Sequence, residues 1–154
     1  MRKPIKWHDL LGIPWKLHGE GPGGMDCSTV AEEVLRRAGF SPPAGFPPPA
    51  GFPPPAMSPF RQPGSDGECH ELRDYLRTMS DSFARLGDGA DVATEVGDCV
   101  LGAAEDGVGR NIYVLVEPNR GTFLSAVHER GVVAVRRRML RRVLGVYRLK
   151  EATP

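Results

Sequence analysis

Cysteine is scarce in this 154-residue sequence. The three present (Cys27, Cys69 and Cys99) form an odd count, which excludes the dense, even framework of a small disulfide-stapled secreted domain and implies reduced thiols. No apolar run approaches the ~18 residues of a membrane span. Asp9, Lys16 and His18 interrupt the segment that follows the basic start, so neither a span nor a signal-peptide core is expected, and the expected place of synthesis is the cytoplasm. Zinc-type spacing is also missing: there is no C-x2-C pair and no H-x3-H, so Cys69-His70 with Cys99 elsewhere predicts no metal site, and no cofactor is expected. Acidic residues are absent from positions 130 to 150, where eight basic side chains lie.

What is present is ordinary globular composition, 40% hydrophobic and 25% charged, enough for one domain over residues 1–154 with a real core. The proline excess is local, with 8 of the 15 prolines between Pro42 and Pro55. There "AGFSPPAGFPPPAGFPPPA" repeats a six-residue unit from Ala38. Such a segment favours extended polyproline II, which has no internal hydrogen bonds and buries no core. Residues 41–63 therefore read as a Pro/Gly-rich insertion, a stiff surface spacer rather than a docking strip for an aromatic groove.

Ahead of it, Cys27, Val30, Ala31, Val34, Leu35 and Ala38 keep the spacing of one helical face. Asp26 is placed to cap the N-terminus, Met25 and Val30 stand at the staple positions, and Gly39 supplies the stop. Glu32 with Arg36 and Glu33 with Arg37 add exposed pairs worth about 0.2–0.5 kcal/mol each. Leu72, Tyr75, Leu76, Met79, Phe83 and Leu86 predict a second helix from Cys69 to Leu86, ending at Gly87. The pattern then turns to short β-type runs: "CVLGA" (99–103), "NIYVLVE" (111–117), "TFLSAV" (122–127), "GVVAV" (131–135) and "VLGVYRL" (143–149), with "EPNRG" as a hairpin turn. Helices first and an antiparallel meander after make an α+β domain.

A thiol where a glycine-rich loop becomes a helix meets unpaired N–H groups and the positive end of the helix dipole, and both favour thiolate. Spacing alone leaves the alternative of a small buried residue opening an apolar face. The stretch "GIPWKLHGEGPGGMDCSTVAEEVLRRAG" resembles the opening of NlpC-type cysteine peptidases, whose hallmark is Asp-Cys-Ser before an amphipathic helix; Asp26, Cys27 and Ser28 match it. "VGDCVLG" (96–102) resembles the family's Gly-Asp before a strand. The segment from Asn111 to Lys150 resembles its closing strands, most closely in phage-tail and gene-transfer-agent members.

The resemblance implies a papain-like α+β fold, with the Cys27 helix packed on an antiparallel sheet, and cleavage of peptidoglycan stem peptides. Cys27 would be the nucleophile, with Asp26, Ser28 and Trp15 toward the substrate. A histidine should take the thiol proton and pass it to the leaving amine, but Asn111 stands at the family's histidine position and Ser125 at that of the orienting polar residue. Asn111 cannot accept a proton at neutral pH. Two histidines are candidate substitutes. His18 lies in the loop before Cys27, and His128 lies three residues beyond Ser125, where strict alternation aims it at the opposite sheet face from Ser125. His8 and His70 read as surface groups. The economical expectation is a dyad without its base, in a protein that is either a cell-wall hydrolase or a silent structural or tail-assembly descendant; a basic binding module is the remaining alternative. The partners implied are tail or injection-particle proteins and peptidoglycan peptide. The "RRRMLRR" stretch reads as a solvated connection or a protein-facing surface rather than a nucleic-acid site.

Overall fold

The computed structural model describes residues 4–16, 19–41, 82–103, 110–127 and 130–150. The proline-rich insertion from residue 42, Cys69, His70, His18 and His128 lie outside the described residues, as do the side chains of Ser28 and Arg141.

Helix α1 spans Cys27–Arg37, as the apolar spacing predicts. Asp26 is its N-cap: its carboxylate accepts the Thr29 N–H at 2.9 Å, while Thr29 Oγ1 accepts the Asp26 N–H at 2.9 Å, a reciprocal capping box. Met25 and Val30 share one buried cluster, as a hydrophobic staple requires. At the other end Gly39 takes φ 93°. The Phe40 N–H then reaches the Leu35 carbonyl at 2.9 Å and the Gly39 N–H reaches that of Arg36 at 3.0 Å, a Schellman stop. The outer face is less open than its charge pattern predicts. Glu32, bonded to Arg36, is buried. Arg37 forks onto both Asp9 carboxylate oxygens (2.7 and 2.9 Å), donates to Glu33 at 2.9 Å and reaches the Lys6 carbonyl at 3.0 Å, tying the N-terminal segment across the helix.

A two-residue hairpin, β1 (Glu20–Gly21) and β2 (Gly24–Met25), leads into α1. Gly24 answers a demand for space: a Cβ there would sit 2.4 Å from the Lys16 Cβ. The main sheet holds β3 (Phe83–Gly87), β4 (Cys99–Ala103), β5 (Arg110–Glu117), β6 (Thr122–Val127), β7 (Gly131–Arg136) and β8 (Arg141–Leu149). Its order is β3-β8-β4-β5-β6-β7, with every neighbour antiparallel. Helix and antiparallel sheet together make an α+β domain, and among the described residues no helix is long and apolar enough to cross a membrane.

Two expectations need correction. Phe83–Gly87 is a strand, not the end of a second helix: Phe83 is buried, Ala84 and Arg85 are exposed, and the segment pairs with β8. So short an apolar run fits either period, and its long-range ladder decides. The rest of that predicted helix lies outside the described residues. The sheet is also not a simple meander. β4 to β7 follow one another, but β8 returns to lie between β4 and β3. Beside β7, the Gly12 N–H bonds Val132 O at 3.0 Å and the Val132 N–H bonds Ile13 O at 2.8 Å, so the chain's own N-terminal segment already occupies that edge.

The sheet has two apolar faces. One, against α1, carries Cys99, Leu101, Ile112, Val114, Val116, Leu124, Ala126, Val132 and Tyr147. The other carries Val100, Tyr113, Leu115, Phe123, Val135 and Val146, with Ala93, Val92 and Met139 against it. Strand alternation assigns the residues of β4 to β7 to their sides, and the cross-strand register of β4 with β5 and of β6 with β7 agrees.

Candidate functional site

Cys27 is the first residue of α1 and only 9% exposed. The preceding loop sets it there. Met25 bridges Trp15, its N–H bonds Pro14 O at 2.9 Å, and its carbonyl accepts the Lys16 N–H at 3.1 Å. Residues 12–13 in turn bond Val132 at the start of β7. A Cβ on Gly131, which has φ 76°, would lie 2.5 Å from Ile13 O, so this close approach requires glycine. Cys27 therefore sits at the end of the sheet where β5 begins, β6 ends and β7 begins. Asp26 is buried with its carboxylate committed to the cap, and half-buried Trp15 packs against the same cluster as Cys27. Ser28 holds the second helical position.

The cross-strand register separates Cys27 from the two positions that the family resemblance assigns to its dyad partners. Ile112 and Val114 belong to the α1 face and Tyr113 and Leu115 to the other, so alternation puts Asn111, opposite Gly102, on the side away from α1. Ser125 lies between Leu124 and Ala126, both on the α1 face, and opposite Val133, which packs on the other face. It too is turned from Cys27. Its Oγ is fully buried with no hydrogen-bond partner.

Among the described residues the only histidine is His8. It stacks on Trp7 (ring centroids 3.8 Å apart) and, with Glu95 and Glu117, lines a cavity of about 710 Å³ beside the turn that follows β5, at the opposite end of that strand from Asn111. His18 and His128, the candidate substitute bases, lie outside the described residues. Cys27 and Cys99 are both free of disulfides, and the Cys99 thiol is buried 3.4 Å from Gly97 O. No group of three His, Cys, Asp or Glu side chains among the described residues is placed to hold a metal ion.

The sequence pattern did not reveal the polar network before β4. Asp98, fully buried, accepts the N–H groups of Thr94 (2.9 Å) and Glu95 (3.0 Å) and is clamped by Arg148 through Nε and Nη2, both at 2.8 Å. The Asp98 carboxylate holds the Arg148 guanidinium above its ordinary pKa, as Asp9 does for Arg37. In return Arg37 holds the Asp9 carboxyl below its ordinary value. The Gly-Asp of "VGDCVLG" thus fastens the start of β4 to β8. Its only sequence signal was the motif itself, because Arg148 lies 50 residues on.

The sequence matches no model of a known protein family and no characterised protein.

Proposed function

We propose that the chain is an NlpC-type, papain-like domain of a phage tail or related injection particle that keeps the nucleophile helix but not the peptidase chemistry, and that serves as a structural or tail-assembly protein. It would be made in the cytoplasm and incorporated into a particle through contacts with other tail proteins. The Asp26-Cys27-Ser28 likeness supports the family, as does a capped helix opening on Cys27 against an antiparallel sheet.

One observation carries the loss of chemistry: Asn111 and Ser125 are turned to the sheet face away from Cys27. Peptide cleavage by a thiol needs a base within hydrogen-bond reach, about 2.6–3.2 Å, to take its proton and return it to the leaving amine. Neither side chain is aimed there, and neither an amide nor a hydroxyl can serve as that base.

The test is incubation of the protein with peptidoglycan stem peptides, with products read by mass spectrometry. The expected result is no Cys27-dependent cleavage, and none restored by Asn111→His, because the new imidazole would face away from the thiol. General acid–base assistance is worth roughly 10²–10⁴-fold, so its loss leaves turnover near background. Cleavage by the wild type that disappears in Cys27→Ala would overturn the proposal, and His18→Ala and His128→Ala would then identify the base.

A further inference from the structure

The arginine-rich stretch is only partly a solvated connection. Arg136 donates to Thr122 Oγ1 at 2.9 Å and to the Arg120 carbonyl at 3.2 Å. Arg137 bonds the carbonyls of Ala90 and Ala93 and lies 5.4 Å from the centroid of the Phe123 ring. These bonds hold two guanidinium groups on the protein without neutralising either. With Arg120 and Arg138, whose exposed side chains make no hydrogen bond or ion pair among the described residues, they wall a concavity of about 510 Å³ over the β5–β6 turn. Among the described residues none of the four is paired with a carboxylate, and no acidic residue lines the hollow. Four positive charges around one hollow, in a chain of net charge +1, form a local field that selects anions. Guanidinium forks match carboxylate geometry.

The hollow adjoins the cavity of about 710 Å³, sharing Pro118, Asn119 and Arg120 with it. That second cavity is lined by the apolar Ile5, Trp7, Val96 and Val116 together with the polar His8, Thr94, Glu95 and Glu117. Its charge preference is therefore opposite: Glu95 and Glu117 repel an acid, and the apolar part of the lining accepts an apolar group. The patch is compact, confined to two short segments, whereas a duplex backbone needs cations spread along a stripe.

We propose that this paired surface docks an acidic segment of a partner protein, with carboxylates held by Arg120, Arg136 and Arg138 and a neighbouring apolar side chain seated over Val116. The site is independent of Cys27.

The test is fluorescence anisotropy with a labelled peptide in which two glutamates precede leucine and phenylalanine. Binding should weaken about ten-fold in the double variant Arg120→Glu, Arg138→Glu and fall steeply with salt. It should be unchanged in Arg142→Glu, which reverses one charge at an exposed site outside the hollow. Arg120→Gln with Arg138→Gln should give an intermediate loss, and near-UV circular dichroism verifies that each variant is folded. The proposal is overturned by no binding up to ~1 mM peptide, by an equal loss in Arg142→Glu, or by equal binding when glycines replace the apolar pair. Tighter binding of short duplex DNA than of the peptide at about 0.15 M salt also overturns it.

Discussion

Replacing Asp98 with alanine should be the most damaging single polar change in the described fold. The carboxylate is fully buried and accepts four hydrogen bonds, two from backbone N–H groups and two from Arg148. Alanine leaves the Thr94 and Glu95 N–H groups without their acceptor, at about 1–3 kcal/mol for each one that water cannot reach. It also takes from Arg148 its nearer counter-charge, leaving Glu95 at 3.4 Å. Breaking a buried pair costs about 3–5 kcal/mol, but the Arg148 side chain is 29% exposed and can rehydrate, so that part is discounted. The expected total is about 3–5 kcal/mol, or roughly 10 °C in Tm for a domain of this size. Urea unfolding followed by tryptophan fluorescence measures it, with an unchanged slope confirming that stability alone has moved. Asp98→Asn should lose about half as much, since one oxygen can still accept from the backbone. Arg148→Met added to Asp98→Ala should cost little more, because the two residues act as a unit. A loss below about 1 kcal/mol for Asp98→Ala would refute the claim that this network fastens β4 to β8.

Two further outcomes follow from the geometry. Ser125→Ala removes a buried hydroxyl without a partner and should leave stability unchanged or raise it by up to about 1 kcal/mol; a clear loss in thermal unfolding would mean the hydroxyl has a partner. The Asp9–Arg37 contact makes stability depend on pH: with its folded pKa below the ordinary 3.8, Asp9 contributes stability above that value and loses it as pH falls through the folded value. The stability difference between wild type and Asp9→Asn should therefore vanish in acid, and a difference that persists there would contradict the pairing.

The parts of this fold legible in the sequence are those governed by near neighbours. Both ends of α1 follow from local chemistry, Asp26 and Thr29 three residues apart and Gly39 with its left-handed φ. The bounds of β4 and β6 match their apolar runs. What escaped depends on distant partners. β3 is a strand because β8 pairs with it, and β8 lies between β3 and β4 while residues 12–13 bond Val132 at the β7 edge. The face that Asn111 and Ser125 take is fixed by the register of β5 and β6 with their neighbours, which a family likeness read along the chain does not carry. Arg136 and Arg137 read as solvated charge, yet their bonds to Thr122, Ala90 and Ala93 exist only once the strands are assembled.

The most direct test of a nucleophile position without a base is the pH dependence of Cys27 alkylation by iodoacetamide, resolved from Cys99 and Cys69 by mass spectrometry. A thiol that is not paired with an imidazole reacts through one ionisation, and on the proposed reading the Cys27 rate should rise in a single step toward alkaline pH, ahead of fully buried Cys99. A thiolate–imidazolium pair would instead hold Cys27 at a reactive plateau down to ~pH 6, and that plateau would contradict the silent site whichever histidine supplied the ring.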